Sequence, residues 1–352
     1  MKHHAIIPIF IPHRGCPNDC VFCNQRKITA SGSDIRPEDA REKIETWLST
    51  LQDRPGMETV EIAFYGGSFT GIPLEEQTAF LEVAREYKKR GLVQRLHLST
   101  RPDYIDEKIL DNLKRLSVDV IELGVQSFDD EVLKASRRGH NAACVERSAA
   151  MIRDYGFTLG IQLMIGLPGD SRESCLASAR KAVELQPQLA RLYPTVILRD
   201  TPLYRMWKDG SYRPPNRDEV VERTARMYRI LTDGGINVIR VGLKSSELIS
   251  EGAEAAGGTY HPAMRQLVCG LLAREALEAQ LGTQLRRSDC RRISFYANGR
   301  SMSDMIGWNG ENKTYFQRKY PQLSLRFERD DSLEDGDYRC RPKEVTHGTS
   351  GK

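Results

Sequence analysis

Apolar runs of strand length alternate with amphipathic stretches of helical length through the first two hundred residues of this chain. The strand-like runs are Ala5–Pro12, Thr59–Tyr65, Arg95–Thr100, Val118–Val125, Thr158–Leu167 and Leu189–Leu198. The helix-like stretches between them are Pro37–Leu51, Leu74–Arg90, Ile105–Leu116, Ala142–Tyr155 and Arg172–Gln186. Strands buried on both faces read as continuous apolar runs, as several of these do. The alternation predicts an α/β fold, a partial (β/α)6 TIM-like barrel.

A seventh unit and a smaller appendage follow the repeats. Arg217–Thr232 has helical periodicity and Ile236–Leu243 reads as a strand, whereas the Gly-, Ala- and Glu-rich stretch 247–259 predicts a loop or lid. We predict a barrel domain over residues 1–244, a small C-terminal α+β accessory domain over 245–330 and a polar, loosely ordered tail over 331–352.

The composition is that of an ordinary globular protein. The chain has 352 residues, of which 39% are hydrophobic and 28% charged. The net charge of +4 does not indicate a dedicated nucleic-acid binder, although it leaves room for a local basic patch. No apolar run approaches the roughly 20 residues of a membrane span, and the N-terminal run is a poor signal peptide. We therefore expect a cytoplasmic protein.

Three of the eight cysteines, Cys16, Cys20 and Cys23, fall within eight residues just after the first predicted strand. Without a secretory signal, such a trio indicates metal or cluster chemistry rather than disulfides. A structural zinc site takes four ligands, and His13 completes the set in that interpretation. In the other interpretation the cysteines hold a 4Fe–4S cluster with one open iron. The position at the carboxyl end of a barrel strand, where active sites lie, favours the cluster.

Motifs that follow successive strands resemble the radical S-adenosylmethionine (SAM) superfamily. The C-x3-C-x-aromatic-C motif of that superfamily is similar to Cys16 to Cys23, with Phe22 as the aromatic residue. Its Gly-Gly loop, which holds the amino group of SAM, is similar to Tyr65-Gly66-Gly67-Ser68 after the second strand. The resemblance covers roughly residues 5–245 well and the appendage more loosely.

Further strings resemble one branch of the superfamily, which includes anaerobic coproporphyrinogen oxidase and the catalytic subunit of Elongator. They are GVQSF at 124–128, RGH at 138–140 and GLPG at 166–169. The strings YGGSFTGI at 65–72 and STRPDYID at 99–106 are closer to Elongator. We expect no acetyltransferase domain of the Elongator kind in this chain, and therefore a substrate of its own.

The resemblance implies a set of site residues that follow the strands at matched positions. The cluster ligands would be Cys16, Cys20 and Cys23, and the SAM-binding residues would be Phe22, Gly66, Gly67, Ser68, Thr100, Gln126, Arg138, Gln162 and Gly169. Phe22 and the Gly169 turn would line the adenine, whereas the Gly-Gly loop and Ser68 would bind the methionine end.

Gln126 and Arg138 are the candidate catalytic residues, since they resemble positions that hold the ribose and carboxylate of SAM. Gln162 stands where relatives often carry an aspartate, although an amide also hydrogen-bonds a hydroxyl. For each of the three, a hydrogen bond within the barrel interior is the alternative.

The resemblance implies an enzyme that cleaves SAM reductively to a 5′-deoxyadenosyl radical, with a flavodoxin or ferredoxin as electron donor. That radical would abstract hydrogen from a substrate that the sequence does not identify. One alternative is modification of RNA, such as a tRNA base, by the same chemistry. A second is a non-enzymatic iron–sulfur or zinc protein, although a structural metal site needs no SAM pocket of the Gly66-Gly67 kind.

One basic stretch near the C-terminus remains outside this assignment. Residues 286–292 contain four arginines, which predict either a phosphate-binding edge or a solvated loop. The acidic run Glu328–Asp337 nearly cancels their charge.

Overall fold

Seven parallel strands form the sheet on which the first part of the chain is built. In this computed structural model, the described residues are 4–11, 16, 20–24, 35–51, 56–243, 255–287 and 290–342. The strands are β1 (His4–Ile11), β2 (Thr59–Gly66), β3 (Arg95–Thr100), β4 (Val120–Gln126), β5 (Thr158–Ile165), β6 (Leu189–Pro194) and β8 (Asn237–Val241). Their order in the sheet follows the chain from β1 to β6 and then β8, so the sheet is an open partial barrel. The predicted fold class is confirmed.

Helices connect the strands and pack on the sheet through apolar faces. They are α1 (Pro37–Leu51), α2 (Leu74–Lys89), α3 (Glu107–Arg115), α4 (Asp130–Ala135), α5 (Ala142–Asp154), α6 (Arg172–Glu184), α7 (Pro202–Lys208) and α8 (Arg217–Asp233). Polar side chains cap their first turns: Ser171 and Asn216, for example, both form capping boxes that satisfy otherwise unpaired backbone N–H groups.

The two faces of the sheet differ in polarity. On β2, Ile62 and Phe64 are fully buried apolar residues, whereas Glu61 and Tyr65, which flank them along the strand, belong to the opposite face. Because side chains alternate along a strand, this pattern gives a helix-covered apolar face and a polar face inside the half-barrel.

One predicted strand is split and one predicted loop is partly a strand. The run Leu189–Leu198 divides into β6 and β7 (Val196–Leu198), and β7 pairs antiparallel with β9 (Ala255–Gly258), which lies in the stretch predicted as a loop or lid. Gly258 permits this pairing, because its φ is +80° and a Cβ would lie 2.7 Å from the Thr195 carbonyl oxygen. The short helices α4 and α7 were not predicted either.

The chain divides into two compact units, Met1–Tyr260 and His261–Lys352. The predicted boundary between residues 244 and 245 lies outside the described residues. The second unit contains α9 (Met264–Arg287), β10 (Arg292–Ala297), α10 (Met302–Ile306), α11 (Glu311–Lys319), β11 (Ser324–Arg329) and β12 (Arg339–Pro342).

Within the second unit, β10 lies between β11 and β12, and α9 packs on one face of this sheet through residues such as Leu277 and Leu281. Residues 339–342 were expected to belong to a loosely ordered tail. They form β12 instead, because Cys340 is buried in the same apolar core as Phe295. No helix in the described part of the chain is long and apolar enough to cross a membrane.

Candidate active site

The Gly-Gly loop passes directly beside the end of β1. Gly66 has a φ of +117°, and a Cβ at this residue would lie 2.9 Å from the carbonyl oxygen of Ile11. The Gly67 N–H donates to that same oxygen at 2.9 Å. Only glycine fits so close a backbone approach. The loop therefore lies next to the strand that leads into the cysteine motif.

Cys20 is the buried member of the cysteine trio, whereas Cys16 and Cys23 are partly exposed. The Cys23 N–H donates to the Cys20 carbonyl oxygen at 3.0 Å. Between them, the Val21 N–H donates to the Ser136 carbonyl oxygen, and the Val21 carbonyl oxygen accepts from the Leu203 N–H. These two bonds fix the cysteine segment to the end of α4 and to the first turn of α7. His13, the zinc ligand of the alternative interpretation, lies outside the described residues.

The described residues contain no group of three or more His, Cys, Asp or Glu side chains arranged to hold a metal ion. The cluster assignment of the three cysteines therefore rests on the chemistry around them rather than on an observed ligand geometry.

Two buried guanidinium groups provide positive charge near the cysteine thiols. Arg138 Nη1 lies 3.2 Å from Cys20 Sγ, and its Nη2 donates to the Gly124 carbonyl oxygen. Arg101 is only 3% exposed and forms a bidentate pair with Asp103. Burial opposes the charge of Arg101, but its bonds to Asp103 and the charges of Asp103, Cys16 and Cys20 raise its pKa.

This surrounding suits a thiolate-ligated cluster and a cofactor that carries a carboxylate. Adjacent cations favour the thiolate over the thiol, and thiolates are the form that ligates metal. Arg138 Nε and Arg101 Nη1 are buried nitrogens without a hydrogen-bond partner in the structure. Because buried donors are normally satisfied, these two fit a carboxylate such as that of SAM.

Gln126, Arg138 and Gln162, predicted from separate strand ends, lie together. Gln162 Nε2 donates to Gln126 Oε1 at 3.2 Å. A Cβ on Gly124 would lie 3.2 Å from Gln126 Nε2 and 3.5 Å from Arg138 Nη2, so glycine leaves the room in which these side chains meet. Gln126 has a φ of +72° at an irregularity in the β4–β5 pairing. Such strain is found preferentially at functional sites.

Ser68 and Thr100 have protein partners of their own. Their hydroxyl oxygens are 2.8 Å apart, and Thr100 also lies 2.6 Å from the hydroxyl of Thr70. Ser68 Oγ accepts from the Arg101 N–H at 3.2 Å. These bonds join the loops after β2 and β3. A direct role of either hydroxyl in binding SAM stays a prediction.

Phe22 and the GLPG turn are linked through Tyr212. Phe22 packs against an apolar cluster formed by Val21, Ile197, Leu203 and Tyr212. The Tyr212 hydroxyl donates to the carbonyl oxygen of Gly166, the first residue of the turn. Gly169 has a φ of +80°, and a Cβ there would meet nothing within 4 Å. Gly169 is exposed, and its role in lining the adenine stays a prediction.

A buried ionic network inside the half-barrel was missed by the sequence reasoning. His97 Nδ1 lies 2.6 Å from Glu61 Oε1, and its Nε2 lies 3.7 Å from Glu122 Oε2. Arg191 Nε lies 2.8 Å from Glu122 Oε2, and Arg191 Nη2 donates to the Tyr65 hydroxyl at 2.5 Å. The sequence does contain a signal for this network, because each of its charged residues interrupts an otherwise apolar run of strand length. Since side chains alternate along a strand, such residues can share one face of the sheet.

This network keeps Glu61 ionised and Tyr65 neutral. Burial raises the pKa of Glu61, but hydrogen bonds from His4 and His97 outweigh it and lower the value to about 2. Burial is also the main reason that the pKa of Tyr65 is well above its ordinary value. Since Arg191 donates to the Tyr65 oxygen, the hydroxyl proton of Tyr65 is available to an acceptor inside the barrel.

Removing the guanidinium of this network is expected to destabilise the fold. In Arg191→Met, Glu122 stays buried without its cation, which costs about 3–5 kcal/mol of unfolding free energy. Arg172→Met is the matched control, because the Arg172–Glu222 pair is largely exposed and is worth less than about 1 kcal/mol. Urea denaturation of both variants measures the difference. Equal stability of the two would contradict the buried network.

His140 is expected to make stability fall as the solution is acidified. Burial, then the charges of Arg138 and Arg101, lower its pKa from 6.5 to about 4. Between these values the unfolded chain binds a proton that the folded chain does not, so stability is full above about pH 6.5 and falls down to about pH 4. The loss attributable to His140 is roughly 3 kcal/mol.

His140→Gln has no proton to bind, so the difference in unfolding free energy between wild type and this variant is expected to change across that pH window. A difference that stays constant between pH 4 and 7 would show that His140 titrates normally.

Two family models match successive parts of the chain. The radical SAM superfamily model matches residues 10–182, and the radical SAM C-terminal domain model matches residues 187–274. Among curated proteins, the tRNA uridine(34) acetyltransferase of Methanocaldococcus infernus is 26% identical over 291 residues, which is 69% of this chain and 54% of that protein. Human Elongator complex protein 3 is 26% identical over 289 residues, 67% of this chain and 53% of that protein.

The chain thus spans about half the length of these curated relatives. Among solved structures, an N-terminally truncated archaeal Elp3 from M. infernus is similar to this fold, with a TM-score of 0.61 and 21% identity. That match covers 78% of this chain and 64% of the other. The motif residues assemble in a parallel half-barrel. The chain belongs to the radical SAM superfamily of enzymes, which use a 4Fe–4S cluster and SAM. Within that superfamily it resembles the catalytic subunit of Elongator.

Proposed function

We propose that this enzyme cleaves SAM reductively and uses the resulting 5′-deoxyadenosyl radical to abstract hydrogen from an RNA base, with a tRNA uridine as the first candidate. The observation that carries the proposal is Arg138, a buried guanidinium that contacts Cys20 Sγ at 3.2 Å and retains an unsatisfied Nε. A structural metal site does not need an unpaired N–H donor beside its thiolate, whereas a site that also binds a carboxylate needs one.

In this proposal Cys16, Cys20 and Cys23 hold the cluster, which when reduced supplies the one electron that breaks a carbon–sulfur bond of SAM. Arg138 neutralises the thiolate of Cys20 and donates from Nε to the SAM carboxylate. The backbone of the Gly-Gly loop, which lies beside β1, would hold the methionine end of SAM.

The two glutamines have a positioning role. Gln126 and Gln162, joined by their side-chain hydrogen bond, offer their remaining amide groups to the ribose hydroxyls. The Gly169 turn and Phe22 enclose the adenine. With SAM held by these residues, Tyr65 would offer its hydroxyl proton to a substrate in the polar interior of the half-barrel.

The RNA substrate is supported by the relatives that this chain resembles, which are named as tRNA uridine and Elongator proteins. Since the chain spans only about half of their length, the acetyltransferase activity named for the archaeal relative is not part of the proposal. An external flavodoxin- or ferredoxin-type donor supplies the electron, and a cytoplasmic location accords with that partner.

Reductive cleavage is tested on anaerobically reconstituted protein supplied with dithionite and SAM. We expect 5′-deoxyadenosine by mass spectrometry from the wild type, and at least a hundredfold less from Cys20→Ala, because that variant loses a cluster ligand. Cys144→Ala is the matched control, since Cys144 lies on α5 outside the motif, and it should retain the wild-type yield. Equal yields from Cys20→Ala and Cys144→Ala would refute the assignment.

The proposal that the substrate is an RNA base is tested in the same reaction, to which a tRNA transcript is added. The transcript is made from uridine triphosphate deuterated at the base carbons. Abstraction from that base transfers one deuterium, so the 5′-deoxyadenosine is expected to be one mass unit heavier than with the undeuterated transcript. Unlabelled product with the tRNA, together with stimulation by a small-metabolite extract, would favour a small-molecule substrate instead.

A further inference from the structure

The second unit presents a face of its sheet that is not covered by α9. On the covered face, Ile293, Phe295 and Cys340 belong to the apolar core. On the other face, β10 contributes the alternate residues Arg292, Ser294 and Tyr296. This outer face lies beyond residue 274, where the match to the C-terminal family model ends.

The strand register arranges arginines in rows on this outer face. Arg326 of β11 and Arg341 of β12 are the register partners of Ser294, one on either side. In the next row Tyr296 lies between Glu328 and Arg339. Arg292, Arg326, Arg339 and Arg341 are all exposed, and together with Ser294 and Tyr296 we call them the arginine face.

Ser294 is the second sign of a ligand on the arginine face. It is 1% exposed, and its Oγ has no hydrogen-bond partner in the structure. A buried hydroxyl without a partner costs free energy that a ligand oxygen would recover. Since Ser294 lies between Arg326 and Arg341, that oxygen would also be within reach of two guanidinium groups. An anion with several oxygens, such as a phosphate, fits this combination.

Tyr296 adds an aromatic surface to the phosphate site. The guanidinium of Arg341 lies over its ring, 5.3 Å from the centroid. Aromatic and arginine side chains on an open sheet face are the combination with which proteins stack unpaired bases and contact the RNA backbone. The arrangement therefore favours RNA over an isolated phosphate ion.

Nearby acidic residues do not neutralise the arginine face. Arg339 lies 3.6 Å from Asp337, and Arg341 lies 3.9 Å from Asp330. The Arg339–Asp337 pair is about half exposed, whereas Asp330 is only 21% exposed; both pairs are long, so each contributes little. Among the residues of the rows themselves, Glu328 carries a negative charge, whereas four arginines carry positive charges.

We infer that the arginine face binds the phosphodiester backbone of RNA, with a phosphate held by Arg326, Arg341 and Ser294 and an unpaired base stacked on Tyr296. The inference rests on the proposed RNA substrate and extends it, because it assigns a second contact surface outside the half-barrel. It also reassigns the predicted phosphate-binding stretch at 286–292: of its arginines, Arg292 lies on this face.

The test is the binding of a fluorescein-labelled tRNA transcript to the full chain by fluorescence anisotropy between 0.05 and 0.3 M KCl. We expect Arg326→Glu/Arg341→Glu to weaken binding at least tenfold and to reduce the slope of log K against log salt by about 1, because the contact with one phosphate is lost. Ser294→Ala is expected to weaken binding about fivefold.

The matched control is Lys313→Glu/Arg318→Glu, which makes the same change of net charge at exposed positions of α11, a helix whose Phe316 enters the core on the opposite side. It should bind tRNA within about threefold of the wild type, as should Arg326→Lys/Arg341→Lys, which retains both charges. Equal weakening by the two Glu double variants, or no tRNA binding by the wild type, would overturn the assignment.

Failure of this inference is distinguishable from failure of the proposed function. The arginine face belongs to the second unit and shares no residue with the candidate active site, so Arg326→Glu/Arg341→Glu should still form 5′-deoxyadenosine from SAM. Intact tRNA binding without 5′-deoxyadenosine would count against the radical chemistry alone, whereas product formation with unchanged tRNA affinity in the variant would count against the arginine face alone.

Discussion

The contact between Arg138 and Cys20 is the interaction on which the candidate site depends. It joins the cysteine segment after β1 to the end of β4, because the same guanidinium donates to the carbonyl oxygen of Gly124. A guanidinium is charged at every physiological pH, so it stabilises a thiolate whether or not a ligand is bound. The other site residues are arranged around this pair: Gln126 meets it at Gly124, and the Gly66 loop lies beside β1.

The polar interior of the half-barrel is the second constraint. Charged groups buried on one face of a sheet are costly, and replacing them by apolar residues of similar size is often neutral or stabilising. The network from Glu61 through His97 and Glu122 to Arg191 is therefore poorly explained by stability alone. Its geometry instead fixes the orientation of Tyr65, because Arg191 Nη2 donates to the Tyr65 hydroxyl.

The sequence was sufficient to predict the half-barrel, since six apolar runs with helical spacers permit few other folds and the structure has those strands in chain order. The resemblance grouped Gln126, Arg138 and Gln162 as SAM contacts, and the structure has the Gln126 side chain beside both Gln162 and Arg138. The sequence was insufficient where long-range pairing decides the local structure. β9 forms from Gly- and Ala-rich residues because β7 offers a partner, and β12 forms from a polar segment because Cys340 and Tyr338 reach the apolar core.

The central claim is that the cysteine motif holds a cluster with an iron open to SAM. Electron paramagnetic resonance of the reduced, reconstituted protein with SAM labelled by 17O in the carboxylate tests it most directly. The account predicts a 4Fe–4S signal that changes when SAM is added and shows hyperfine coupling to the label. One zinc per chain without sulfide, or a cluster signal that is identical with and without SAM, would contradict it.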